Sequence, residues 1–278
     1  MEEVMKQKLL VILAIIICFG ISGCQSNQNT KAKQTDSKQL AEDAADAEDS
    51  SNYFDVNITF EDQSREEKDE NGALLLTITG NLPIVTVEGN DVATEKINAY
   101  YKESQKNLED QIQEYIQYAN DDYVNADADR QKYWNGYALG ESYQTARVDS
   151  SIISIIEDSY EYAGGAHPNS YRTAQNFDTI MGELLKLEDI FTDTTKAKEF
   201  VNEYLLKLMK DRVEEYGYFE DYENSVGDIL TDDTWYLSDE GLVVICNEYI
   251  VSPHAAGIQE FVIPYSEFPY LVEQYQKH

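Results

Sequence analysis

The chain predicts an α+β fold, with two small sheet-plus-helix subdomains set behind an N-terminal signal and a polar tether. Three observations carry this. Strand-like segments are grouped rather than alternating regularly with helices, which favours α+β over a doubly wound α/β sheet. Two long segments repeat apolar residues at helical spacing. Residues 25–52 hold no aromatic residue and one large aliphatic, Leu40, so the folded part begins near Tyr53.

In the first subdomain, 53–165, the segments YFDVNITF and GALLLTITGNLPIVTV read as strands. A helix follows from about Val92, with Asn90 or Asp91 as its N-cap and Ile97, Tyr101, Leu108, Ile112, Tyr115 and Ala119 as its apolar stripe. Strands near Tyr137–Val148 and Ser151–Tyr162 complete the sheet. The second subdomain, 166–278, repeats the order with strands through NFDTIMGELLKLEDIF and a helix from about Thr195 to Tyr216. Phe200, Val201, Tyr204, Leu205, Leu208, Met209 and Val213 form that helix's stripe, and Gly217 fits its C-cap. The hairpin WYLSDEGLVVICNEYIV, turned at Asp239–Gly241, precedes the strand IQEFVIPY, and an amphipathic helix over Phe268–Gln276 ends the chain. No internal repeat is visible at the level of sequence.

Residues 1–23 read as a lipoprotein signal. Lys6 and Lys8 precede the 11-residue apolar run Leu9–Phe19, and Ile21-Ser22-Gly23 lead to Cys24. The run is well short of the roughly 20 apolar residues needed to span a bilayer. Cleavage before Cys24 and its acylation place the chain on the outer face of a bacterial cell membrane. The tether, 24–52, contains a 28-residue polar coil that spans roughly 30 Å.

The formal net charge is -32. Such a surface repels nucleic acid and anionic headgroups and steers basic proteins or cationic polymers toward it, while also serving solubility alone. Of three cysteines, Cys18 lies in the signal and Cys24 is the lipidation residue, so no disulfide can form within the exported part. Cys246 alternates with Leu242 and Val244, which predicts a buried thiol.

Two turns concentrate chemistry. In YEYAGGAHPNSY, Gly164 and Gly165 permit positive φ, and Pro168 restricts His167. Tyr160 and Tyr162 flank them, in a composition that suits adaptable recognition as well as a plain tight turn. In SPHAAGIQEFVIPYSEF, His254 also sits beside a proline. The two histidines are candidates to face one another, although no third ligand lies at HxH, HxxxH or HExxH spacing, so no metal and no cofactor is expected. From Arg212 to Glu240 ten acids stand against one base, interleaved with Tyr218, Tyr222 and Trp235, which suits gripping a basic protein or a solvated acidic face. The stretch Glu109–Asp129 carries seven acids and no Lys or Arg. No nucleophile elbow, phosphate-binding loop or dinucleotide fingerprint is present, so a non-enzymatic role is expected.

In order and spacing, YEYAGGAHP, NFDTIMGELLKLEDIF and SPHAAGIQEFVIPYSEF resemble the paired domains of unknown function of RsiV-like anti-sigma factors. The resemblance covers roughly Tyr53–Phe268. It implies a two-part α+β ectodomain with Tyr162, Gly164, Gly165, Ala166, His167 and Pro168 in one family turn, and Ala255, Ala256 and Gly257 in another. Family members bind lysozyme outside the cell, and the same modules precede polysaccharide deacetylase domains in some cell-wall enzymes. Here the family's usual tyrosine is replaced by His254, its threonine by Met181 and its lysine by Glu183. The expected function is a lipid-anchored binding ectodomain for a basic protein such as lysozyme or a cell-wall glycan. The alternative is an accessory or catalytic component of peptidoglycan modification.

Overall fold

The computed structural model describes residues 54–277. The expected signal, Cys24 and the whole of the expected tether therefore lie outside the described residues. Fourteen-residue β3 (Leu74–Val87) organises the first sheet. Its second half pairs antiparallel with β1 (Val56–Asp62), and its first half with β2 (Arg65–Lys68). The charged segment REEK gave no strand signal, because a short edge strand can be half exposed and carry no apolar alternation.

The other edge of β3 pairs parallel with β4 (Tyr137–Val148), at Leu76↔Tyr137 through Gly80↔Glu141. A parallel pair cannot be closed by a hairpin, so the chain crosses over through α1 (Asp91–Asn125) and the short α2 (Ala128–Lys132). Asn90 caps α1 by accepting from the Ala93 N–H at 3.1 Å. Ala93, Ile97, Tyr101, Ile112, Tyr115 and Ala119 are the buried stripe, and Leu108 packs beside it. β5 (Ile152–Tyr162) and β6 (Asn169–Asp178) extend the sheet as an antiparallel meander, giving the order β1-β3-β4-β5-β6. The division at 165/166 falls in the β5–β6 turn, and β6 belongs to the first sheet.

Beyond β6 the strand expected through NFDTIMGELLKLEDIF stops at Asp178, whose carboxylate accepts from the Ile180 and Met181 N–H groups at 2.8 and 2.7 Å and turns the chain. One helical turn, α3 (Leu187–Ile190), follows. The expected 195–216 helix is divided into α4 (Thr194–Lys210) and α5 (Val213–Tyr216), and Gly217 at φ 59° closes the second piece. The second sheet is β7 (Trp235–Leu237), β8 (Gly241–Cys246) and β9 (Gln259–Pro264), all antiparallel.

Strand alternation gives the second sheet two buried faces. Trp235, Leu242, Val244, Phe261 and Ile263 pack on Ala197, Val201, Leu205 and Met209 of α4. Tyr236, Val243 and Ile245 pack on Ile156 and Ala174 of the first sheet, whose opposite side carries Ile153 and Ile155 toward α1. The layers run helix, sheet, sheet, helix, an α+β arrangement of two sheet-plus-helix parts. Among the described residues no helix is long and apolar enough to cross a membrane.

The expected C-terminal helix over Phe268–Gln276 is an extended strap instead, with one 3-10 turn at Glu273–Tyr275. The Tyr270 carbonyl accepts from Thr192 N–H and the Val272 N–H donates to the Ile190 carbonyl, both at 2.8 Å, while Pro269 has no N–H to contribute to a helix. Arg147, 5% exposed, ties down the end of this strap. Its guanidinium donates to Asp149 Oδ2 at 2.6 Å, Tyr265 Oη at 2.7 Å and the Tyr275 carbonyl at 2.8 Å.

Cys246 is fully buried beside Leu242 and Val244, and burial pushes its thiol up to about 12. The thiolate is therefore scarce at pH 8. Iodoacetamide should leave Cys246 unmodified in the native protein and label it in 6 M guanidinium, as read by peptide mass; native labelling at the denatured rate would contradict this burial.

Candidate functional site

The two histidine turns meet. His167 lies at the tip of the β5–β6 hairpin, where Gly164 at φ 76° and Gly165 at φ 124° take conformations that side chains with a Cβ rarely adopt. The Tyr162 hydroxyl braces this turn by donating to the Gly165 carbonyl at 3.2 Å. His254 opens a 3-10 turn in the loop between β8 and β9. The rings of His167 and His254 stack with centroids 4.0 Å apart and planes at 16°.

Asn247 explains why turns 87 positions apart come together. The Arg172 backbone N–H donates to Asn247 Oδ1 at 2.7 Å, and Asn247 Nδ2 donates to the Arg172 carbonyl at 2.9 Å. One side-chain amide thus imitates a strand's pairing with the free edge of β6, and it is only 1% exposed. Arg172 is itself held charged, first by its hydrogen bonds to Asp158 at 2.7 and 2.9 Å, with Glu260 at 3.2 Å as a second carboxylate. Sequence reasoning passed over Asn247. Its one signal is a polar residue directly after the fully buried strand GLVVIC.

Tyr249 completes the surface. It is 54% exposed and is the described non-glycine residue with positive φ, 65°, held there by its N–H bond to the Ser252 carbonyl at 3.0 Å. Backbone strain of this kind costs on the order of 1–3 kcal/mol and persists where surrounding structure enforces it. The Tyr249 ring lies nearly parallel to His254, 6.1 Å away, and its hydroxyl is 3.4 Å from His167 Nε2.

The partners settle the tautomers. His167 Nδ1 is 2.8 Å from the Pro168 carbonyl, which only accepts, so Nδ1 carries the proton and Nε2 accepts from Tyr249. His254 Nδ1 likewise donates to the carboxylate of Glu248, whose side chain is 8% exposed. The result is a flat, partly exposed stack of two imidazoles and a phenol, with hydrogen-bonding edges and a carboxylate behind it. Such a surface can stack on a planar or sugar face and hold a cation at the tyrosine ring. Among the described residues no group of three or more His, Cys, Asp or Glu side chains is placed to share a metal ion.

Of the other residues singled out, Pro168 holds the hairpin beside this stack, and Tyr160 is 41% exposed on β5. Tyr218, Tyr222 and Trp235 are corrected: at 9%, 9% and 0% exposure they face the core and present no ring to a partner. Their interleaving with acids reflects alternation between core and solvent. Tyr218 nevertheless supports the site from below. Its hydroxyl donates to Gln259 Oε1 at 2.8 Å, and Gln259 Nε2 donates to Ser252 Oγ at 2.9 Å beneath the loop that carries His254.

Two family models match the chain. Residues 67–170 match one described as Deacetylase PdaC, and residues 188–266 match DUF3298, a protein of unknown function. Among solved structures, a DUF3298 member from Bacteroides fragilis aligns with TM-score 0.59 at 20% identity, covering 80% of this chain and 94% of that one. A DUF3298 family protein from Pseudomonas aeruginosa aligns with TM-score 0.51 at 12% identity, covering 80% and 95%. At these identities the likeness speaks for the fold. No curated protein matches the chain. The chain thus carries paired domains, one similar to PdaC and the next to DUF3298.

Proposed function

We propose that this protein is a non-enzymatic binding ectodomain, lipid-anchored through Cys24 on the outside of a bacterial cell, that recognises a basic protein of the lysozyme kind. The meeting of His167, His254 and Tyr249 in one partly exposed stack carries this reading. Two separate turns would be scaffold, whereas an exposed aromatic group braced from beneath is the arrangement found at binding hot spots. The net charge of -32 supplies long-range attraction for a cationic ligand, and Glu248 and Tyr249 supply local complementarity.

Biolayer interferometry of the whole chain against lysozyme at 50 and 150 mM NaCl tests this. We expect binding that weakens with salt, and a loss of at least about tenfold for Tyr249→Ala and His254→Ala, the scale of a central interface residue. Absence of binding at both salts, with muropeptide binding intact, would sink the protein-ligand version and leave the glycan one, which the flat ring stack also suits. The match of residues 67–170 to a model described as Deacetylase PdaC favours a second reading, a part in peptidoglycan modification. That reading requires muropeptide turnover that His167→Ala reduces.

A further inference from the structure

A second polar cluster lies on the α1 side of the first sheet, away from the histidine stack. Glu141 and Tyr143 on β4, Glu157 on β5, and Thr173 and Gln175 on β6 all point to this side, opposite Tyr101 and Ser104 of α1. Gly80 brings β3 unusually close here, since a Cβ at that position would lie 1.9 Å from the Glu141 carbonyl oxygen. Tyr143 Oη donates to Glu141 Oε1 at 2.9 Å and lies 3.2 Å from Ser104 Oγ. Gln175 Nε2 donates to Glu157 Oε2 at 2.8 Å and to Thr173 Oγ1 at 3.2 Å. Across the β4–β5 pair Glu157 stands directly opposite Tyr143 and diagonally from Glu141, so the two carboxylates share one face of the sheet as cross-strand neighbours.

The cluster is unbalanced in two independent ways. Among the described residues, neither glutamate forms an ion pair with a Lys or Arg. Moreover, two buried oxygens have no hydrogen-bond partner: Gln175 Oε1, in a side chain 4% exposed, and Tyr101 Oη, 1% exposed. The Gln175 amide is oriented by its Nε2 bonds to Glu157 and Thr173, which leaves Oε1 as an acceptor beside the carboxylate. Every donor in the set is oxygen, with two carboxylates, an amide carbonyl and a phenol. That is the chemistry of a hard divalent cation, whereas zinc sites draw on nitrogen and sulfur.

We propose that Glu141, Glu157, Gln175 Oε1 and Tyr101 Oη form a binding site for a hard divalent cation of the Ca2+ type. The ion sits between the two carboxylates and satisfies the two orphaned oxygens at once. Its place beneath α1 ties the crossover helix to β4, β5 and β6.

The tyrosines make the site readable. Tb3+ bound here lies among Tyr100, Tyr101 and Tyr143 and is excited through them. In the whole chain at pH 7.5 and 150 mM NaCl, Tb3+ should give saturable tyrosine-sensitised emission with one site per chain, displaced by CaCl2 titrated to about 10 mM, above the range of extracellular calcium modules. Glu157→Gln should weaken Ca2+ displacement at least about tenfold, and Tyr101→Phe, which removes one oxygen and keeps the ring, should weaken it less. Both variants are checked for native near-UV circular dichroism. Absence of saturable emission overturns the proposal. Retention of wild-type affinity in Glu157→Gln and Glu141→Gln also overturns it, because the ions would then sit elsewhere on the acidic surface.

Discussion

Trp235→Ala is expected to lower the free energy of unfolding by about 3–5 kcal/mol, the cost of emptying a large aromatic site in a packed core. Trp235 is fully buried, faces α4 from the shortest strand of the second sheet, and its backbone carbonyl accepts from Asn176 Nδ2 at 2.8 Å. Its indole N–H has no partner, so its contribution is apolar packing. Urea unfolding followed by tryptophan and tyrosine fluorescence measures the loss. The comparison with Tyr249→Ala is the sharper part. Removal of that exposed ring should change stability by less than about 0.5 kcal/mol while reducing ligand binding. If Trp235→Ala were as stable as wild type and lost only binding, the inward placement of this residue would be wrong.

Arg147→Ala should cost on a similar scale, about 3–5 kcal/mol, because a buried charge is removed from partners that stay behind. The Tyr275 carbonyl, the Tyr265 hydroxyl and the Asp149 carboxylate each lose a donor, and no water-exposed substitute lies along a side chain that is 3% exposed. Asp149 keeps part of its solvation, being 33% exposed, which places the result nearer the lower figure. Because the guanidinium pins the C-terminal strap, amide exchange over Phe268–Tyr275 should quicken more than exchange in α1. Arg147→Lys retains the charge but not the planar fork, and should recover only part of the loss. Uniform exchange across the molecule would contradict the local role of this clamp.

The elements legible in the sequence were those whose periodicity follows from a single buried face. The α1 stripe from Ile97 to Ala119, its Asn90 cap, the β4–β5 pair, the α4 stripe from Phe200 to Met209 and the turn at Asp239–Gly241 match, because each is settled by contacts close in sequence or by one continuous core, whereas Val213, expected in the same stripe, lies beyond the break after α4 and is exposed. Phe268–Gln276 was illegible for the opposite reason. Its apolar residues Phe268, Leu271 and Tyr275 satisfy a helical spacing equally well as an extended strap, and the decision rests on backbone bonds to Ile190 and Thr192, some eighty residues earlier. REEK of β2 carried no signal because an edge strand needs no buried face. The aromatics of 212–240 misled through composition. Tyrosine and tryptophan among acids describe a binding surface and a core boundary alike, and burial separates the two.

By itself the sequence determined the α+β class, the acidic surface, the burial of Cys246 and the two glycine- or proline-constrained turns that hold His167 and His254. Tertiary structure decided that these turns are one site. That decision belongs to Asn247, whose amide pairs with the β6 edge at Arg172, and to the Tyr218–Gln259–Ser252 chain beneath the loop. It also decided that Tyr218, Tyr222 and Trp235 turn inward, and that Glu141 and Glu157, sixteen residues apart, come to one face of the sheet under α1. The physical reason is common to all three. Hydrophobic periodicity records which face of an element is buried, whereas the pairing of polar groups across distant strands depends on register and edge contacts, which no local pattern encodes.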